Sequence, residues 1–236
     1  MPKTKKTTKK EVGSGEYAPQ PSDVVTPERV TIPAPNFEYG IFHIQFTAPF
    51  VQCAFGAKSR QALKDIQLAG ESRKKNIKRE PKDFQALYEE AHHISDEGWC
   101  GVPASAFRNA AISACRVCGY AMTRAKLTIF AEADGFDRDS RDPLIKILKG
   151  KPHYHEAPVR VANGRFDLRP RPMWDPGMEM TVRIRYDADQ FRFEDVANLM
   201  MRVGLQVGIG EGRPDSRETP GCGWGFFRIV SSEATS

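Results

Sequence analysis

Near its end the chain carries Gly208-Ile209-Gly210, a polar Arg/Pro/Asp/Ser segment, and Gly221-Cys222-Gly223-Trp224-Gly225, followed by the apolar run Phe226-Phe227-Arg228-Ile229-Val230. Glycine relieves the steric limit on positive φ and lets another backbone come close, so a segment this rich in it is built for tight approach. Its place in the chain narrows what can approach. In dinucleotide-binding and phosphate-loop chains the glycines follow a strand and open a helix, which seats the anion on the helix N-terminus. Here a helix-like segment, 194–203, comes first and ends at Gly204, and the glycines lead into a strand. Neither nucleotide fingerprint fits. The loop is instead suited to wrap a partner or a phosphodiester chain with its own N–H groups.

The 236 residues, 40% of them hydrophobic, suffice for one folded unit with a sizeable core. Residues 1–35 are expected outside it. Lys3, Lys5, Lys6, Lys9 and Lys10, then Pro19, Pro21, Pro27, Pro33 and Pro35, spell a basic tail and an extended linker. The folded domain is expected over 36–232. No apolar stretch approaches the ~20 residues of a membrane span, and the N-terminus lacks the apolar core of a signal peptide. A soluble, cytoplasmic protein without membrane partners follows as the expectation. Cys53, Cys100, Cys115, Cys118 and Cys222 are odd in number and suggest a reducing compartment rather than a disulfide framework.

The formal charge of +5 is unevenly spread. Residues 54–82 hold nine basic side chains, among them Lys58, Arg60, Arg73, Lys74, Lys75, Lys78 and Arg79, against three acidic ones. Clustered positive charge favours polyanions through counterion release, although a charge run also serves as a solvated helix face. A second basic region, 133–178, interleaves Lys151, Arg160, Arg165, Arg169 and Arg171 with Tyr154, Phe166 and Trp174. Guanidinium planes and aromatic rings stack on unpaired bases, which points to single strands over duplexes. Trp174 and Phe166 equally fit as core anchors of a long loop.

Periodicity predicts the order of elements. Phe42, Ile44 and Phe46 alternate with polar neighbours in a first half-buried strand. Residues 54–98 form an insertion, partly helical. Phe107, Ala110, Ala111 and Ala114 give a helix that starts near Pro103 and ends near Gly119. A second strand is predicted at 125–131 with Leu127 and Ile129 inward. An irregular excursion over 133–178 follows, then a third strand with Met180, Val182, Ile184 and Tyr186 on one side. A last helix shows Val196, Ala197, Met200 and Val203 on one face and leads through the glycine loop to a closing strand. This is an α+β chain of the βαββαβ ferredoxin-like type, an antiparallel sheet backed by helices.

Two of its motifs resemble those of the RAMP superfamily, the RNA-recognition-fold proteins that include backbone subunits of CRISPR effector complexes. Val102-Pro103-Ala104-Ser105-Ala106-Phe107-Arg108-Asn109-Ala110 is similar to the signature that opens the first helix there, with Ala104 and Ala106 departing from the usual glycine and hydroxyl residues. The ending Gly208-Ile209-Gly210 to Gly223-Trp224-Gly225 resembles that superfamily's C-terminal glycine-rich loop, and also the ending of certain bacteriophage proteins. The resemblance implies that Ser105, Arg108 and Asn109, together with Gly208, Gly210, Arg213, Gly223 and Gly225, meet a bound strand. Ser105 reads either as a phosphate-facing hydroxyl or as a plain helix cap.

The function expected is that of a non-catalytic binding protein for single-stranded RNA or DNA, multimeric along the strand, without cofactor or metal. A metal-independent endoribonuclease is the enzymatic alternative, with His43, His92 and His93 as the available acid–base groups. A protein–protein subunit for phage assembly or for interference with host defence is the third. Cys115 and Cys118, three apart on the first helix, would need two further ligands to hold zinc, for which His153 and His155 are the only tempting source, and they read as packed thiols.

Overall fold

The computed structural model describes residues 31–68, 81–160, 166–216 and 221–235. The compact unit is that of Pro35–Ser236. In chain order its elements are β1 (Phe37–Phe46), β2 (Phe50–Val51), α1 (Ala57–Leu68), α2 (Phe84–Glu90), β3 (Gly101–Pro103), α3 (Ala104–Cys118), α4 (Met122–Thr128), β4 (Ile129–Glu132), β5 (Gly135–Phe136) and β6 (Pro143–Lys149). They continue through β7 (His153–Arg160), β8 (Phe166–Trp174), β9 (Glu179–Asp187), α5 (Phe193–Arg202), a π-helical turn over Val203–Val207, and β10 (Phe227–Thr235).

Among the described residues two antiparallel sheets form. In the larger, β10 pairs with β1, β1 with β9, and both β4 and β6 lie along the far side of β9, with β3 and β5 extending from β6. The smaller sheet runs β2-β8-β7. The fold is thus α+β, with α3 and α5 packed over one face of the larger sheet and α2 against β8 of the smaller one. Strand alternation sets which face they cover. Phe42, Ile44 and Phe46 of β1 and Met180, Val182, Ile184 and Tyr186 of β9 share one buried cluster with Phe107, Ala111 and Ala114 of α3 and Val196 and Met200 of α5. The opposite face carries Ile41, His43, Gln45, Thr181, Arg183 and Arg185. Burial raises the Tyr186 hydroxyl to about 12, helped by its 2.9 Å hydrogen bond to Glu38 Oε2.

Two predicted segments differ. The strand predicted over 125–131 is helix α4 up to Thr128, and only then strand β4. Ala125 and Ile129 are buried at a spacing of four, which an inward helix turn satisfies as well as alternation does. The Thr128 hydroxyl donates back to the Arg124 carbonyl at 3.1 Å, and Leu127 points outward, 74% exposed. The excursion over 133–178 is not irregular either. It holds β5 to β8, including the β7–β8 hairpin registered from His153↔Met173 to Arg160↔Phe166. Arg and Pro alternate through β8, a pattern that masked its strand character because proline removes a ladder donor. Trp174 is fully buried between Phe50, with ring centroids 5.5 Å apart, and His92, at 6.2 Å, so of its two readings the core anchor holds.

The glycine loop is folded against the body of the protein. Gly225 N–H donates to the Pro49 carbonyl at 2.7 Å, Ile209 N–H to the Gly225 carbonyl at 3.0 Å, and Glu211 N–H to the Val51 carbonyl at 2.8 Å. Those N–H groups are committed inside the fold. A Cβ on Gly225, whose φ is +74°, would lie 1.7 Å from the Ile209 carbonyl oxygen, whereas one on Gly221, at φ +69°, would meet nothing nearer than 3.6 Å. Both substitutions carry the left-handed penalty, but only the first also collides with backbone. Gly225→Ala is therefore expected to destabilise by ~3 kcal/mol or more and Gly221→Ala by about 1 kcal/mol, read from urea midpoints at constant slope.

Candidate nucleic-acid interface

The first two turns of α3, the paired strand β8 and the glycine loop converge on a cleft of about 420 Å³. Pro103, Ala106, Asn109 and Ser113 form the α3 wall, Arg169 and Arg171 the β8 wall, and Gly208, Gly210, Arg213 and Asp215 the loop wall. Phe50, Val102, Ile209 and His93 also line it. Of the residues predicted to touch a strand, Asn109, Arg169, Arg171, Gly208, Gly210 and Arg213 line this one cleft.

Local chemistry holds each in place. α3 follows directly from β3, with Pro103 at its N-cap, no side-chain cap hydrogen bond and no acidic residue in its first turn. Its N-terminal N–H groups and their partial positive charge are thus left uncountered beside the cleft. Ser105 is exposed in that turn, is not the cap, and is not among the residues that line the cleft. Arg171 is 7% exposed; its Nε donates to Glu211 Oε2 at 2.7 Å and its Nη1 to the Pro170 carbonyl at 3.1 Å. Arg213 Nη1 donates to the Gly210 carbonyl at 2.8 Å, tying the loop to itself. Arg116 of α3 reaches Asp215 Oδ1 at 2.5 Å and anchors the loop to the helix. Arg169 is the more open cation, with a long 3.5 Å contact to Asp167.

His93 sits in the wall between this cleft and a second one of about 410 Å³, which is lined by Arg60, Glu89, Glu90, His92, Asp137 and Asp142. Its Nδ1 lies 3.1 Å from Asp137 Oδ2. Burial alone would raise the Asp137 carboxyl, but the N–H groups of Ser140 and Asp139, at 2.8 and 2.9 Å, together with His93, outweigh it and hold the carboxyl below its ordinary value. The Gln52 side chain, buried, bridges the strands behind: its amide nitrogen donates to the Gly101 carbonyl and its oxygen accepts from the His93 N–H, both at 3.1 Å.

Other expected residues lie elsewhere. Arg108 turns from the cleft, donating to the Ile129 and Lys126 carbonyls at 3.2 and 2.5 Å with its guanidinium 5.3 Å from the centre of the Phe130 ring. It joins α3 to α4 and β4. Gly225 is buried in backbone packing, and Gly223 is half-buried outside the cleft lining. Arg60 donates to the Asp139 carbonyl at 3.2 Å in the second cleft. His43 is on the open sheet face, its Nδ1 2.9 Å from the Thr181 hydroxyl. Burial lowers the His92 pKa, although the Tyr88 and Glu89 carbonyls pull the other way, so this ring favours its neutral form. Arg73, Lys74, Lys75, Lys78, Arg79 and Arg165 lie outside the described residues, as does the side chain of Lys58. Cys115 is buried and its thiol is pushed up to about 11 by that burial; Cys118 is exposed. Among the described residues no group of three or more His, Cys, Asp or Glu could hold a metal ion, and no helix is long and apolar enough to cross a membrane.

Asp137, Gln52, Glu211 and Asp215 were not anticipated. The run Asp137-Arg138-Asp139-Ser140 did carry a signal, since an aspartate that accepts the N–H groups two and three residues on is a turn former. Asp137→Ala leaves those donors and His93 unpaired and is expected to cost about 1–3 kcal/mol near neutral pH. A depressed carboxyl stabilises the fold above its unfolded value, near pH 3.9, and that contribution is lost as pH falls through the folded value. The loss of stability on acidification should therefore be smaller in Asp137→Asn than in wild type, as followed by thermal melts between neutral and acid pH.

No family model matches the sequence, and no curated protein matches it. Among solved structures, the fold is similar to a chain from a cryo-EM structure of the Type III-B Cmr-beta complex bound to cognate target RNA, at a TM-score of 0.44 and 11% identity over 85% of this chain. The aligned region spans 61% of that other chain.

Proposed function

We propose that the chain binds single-stranded nucleic acid in the cleft between α3, β8 and the glycine loop, as a RAMP-type protein. The observation that carries this reading is the convergence of Asn109, Arg169, Arg171, Gly208, Gly210 and Arg213, from three distant stretches of sequence, on one cleft of about 420 Å³. The Arg169 guanidinium and an uncapped helix N-terminus offer donors to phosphate, while Arg171 and Arg213, held by Glu211 and the Gly210 carbonyl, shape the wall beside them. Glu211 and Asp215 orient two of the surrounding groups and keep the cleft from being a uniform cationic patch. The strand order β10-β1-β9-β4, with α3 and α5 as the connecting helices, is the order a βαββαβ ferredoxin-like domain would have. Residues 1–35 and the Lys/Arg-rich stretch near 69–80 fit as additional charge along the backbone of a longer strand.

The position of His93 favours a second reading. With Nδ1 held by Asp137 and the side chain lining the cleft, its other ring nitrogen is the one left for proton transfer, as an RNA-cleaving site without metal would need. Cleavage of RNA but not DNA in EDTA, abolished in His93→Gln, supports that reading, and intact RNA sinks it.

Binding is tested by fluorescence anisotropy with labelled RNA and DNA strands at several salt concentrations. Affinity should fall by about tenfold or more between 50 and 200 mM salt if three phosphates are met, since each contributes a slope of ~0.7 on single strands. Arg169→Ala should weaken binding and reduce that slope by about 0.7, while His43→Ala should leave both unchanged. Salt-independent affinity, or none for any single strand, overturns the reading.

A further inference from the structure

β10 is the outermost strand of the larger sheet, hydrogen-bonded to β1 along one side. From Arg228 to Thr235 every side chain except that of Ile229 is exposed, so among the described residues nothing covers either face of this strand's end. Val230 is 62% exposed, at the bulge where the register with β1 shifts between Ser231↔His43 and Ile229↔Ile44. Open edges of this length template further pairing unless something defends them. A bulge such as that at Val230 twists an edge locally, and charges of a single sign defend it along its length, because they repel when two such edges meet. This edge carries both signs. Arg228 stands opposite Gln45, whose Oε1 accepts from its Nε at 3.2 Å and its Nη2 at 2.6 Å, and Glu233 stands opposite Ile41, which places the two charges on the same face of the sheet. They are also equidistant from the point between Val230 and Ser231.

That symmetry selects an occupant. We propose that a second copy of this chain pairs its β10 antiparallel against this edge, about a two-fold axis between Val230 and Ser231. In that register Arg228 of each copy faces Glu233 of the other, so the pair forms twice. Val230 of each copy sits beside the axis, where its exposed side chain is covered. Such an interface is self-complementary and closes at two copies, and cross-strand pairs of opposite charge favour its register. The same edge slid by one residue would put Arg228 against Ser232 or Ala234 of the other copy and lose both ion pairs.

Sedimentation equilibrium of the full chain, free of nucleic acid, tests this apart from any binding in the cleft. Wild type is expected to be a concentration-dependent dimer. Arg228→Glu and Glu233→Arg should each raise the dimer dissociation constant by about tenfold or more, because both symmetric pairs become repulsive at once, and the double reversal should restore it. Val230→Lys, which sets two ammonium groups beside the axis, should also yield monomer, with circular dichroism and thermal melts reporting an intact fold. A monomer at every concentration, a dimer indifferent to the single reversals, or a double variant no tighter than the singles overturns the proposal.

Discussion

The contact on which this molecule turns is backbone against backbone: the glycine loop laid on the β2 segment, with Glu211 N–H on the Val51 carbonyl and Gly225 N–H on the Pro49 carbonyl. No side chain would fit between Gly225 and Ile209, and a Cβ on Gly210 would stand 2.5 Å from the Val51 carbonyl oxygen. Loop, β2 and the start of β10 are thereby fixed as one unit. Because β2 also pairs with β8, through Phe50↔Trp174 and Val51↔Met173, the same packing places Arg169 and Arg171 opposite the loop. The cleft is the space left over once those backbones have met.

The electrostatics of the cleft follow from that assembly rather than from charge density alone. Arg171 is held almost out of water with a carboxylate at 2.7 Å, so it orients and polarises more than it attracts at long range. Arg169, closer to solvent, and the open end of α3 are the groups with reach. The site therefore combines a rigid donor array with a small number of accessible cations, and this differs from a uniformly basic groove.

Much of the architecture was legible in the sequence where a period was clean. Alternation at Phe42, Ile44 and Phe46, and at Met180 to Tyr186, marked the two central strands, and Phe107 to Ala114 marked the long helix, because in each case one face is buried and the other is not. The period failed at residues 125–131, where alternate and four-apart positions coincide, and over β8, where Arg-Pro-Arg-Pro looks like a loop. For the site, helix-start and loop motifs led to Asn109, Gly208, Gly210 and Arg213, and stacking chemistry led to Arg169 and Arg171. Arg108 was misplaced by the same motif, since a helix position says which turn a residue occupies but not which neighbour its long side chain will find. The acidic partners were hidden for a related reason: Glu211 and Asp137 acquire their roles only when segments 40 and 44 residues away fold beside them.

His93 lines two compartments of nearly equal size, and Asp137, 3.1 Å from its Nδ1, lines the second of them. A change in the charge or position of that one imidazole would bear on both compartments at once. By thermodynamic necessity the effect is the same in both directions. An occupant of the neighbouring chamber would therefore act as a tuning screw on the main cleft, and be tuned by it in return.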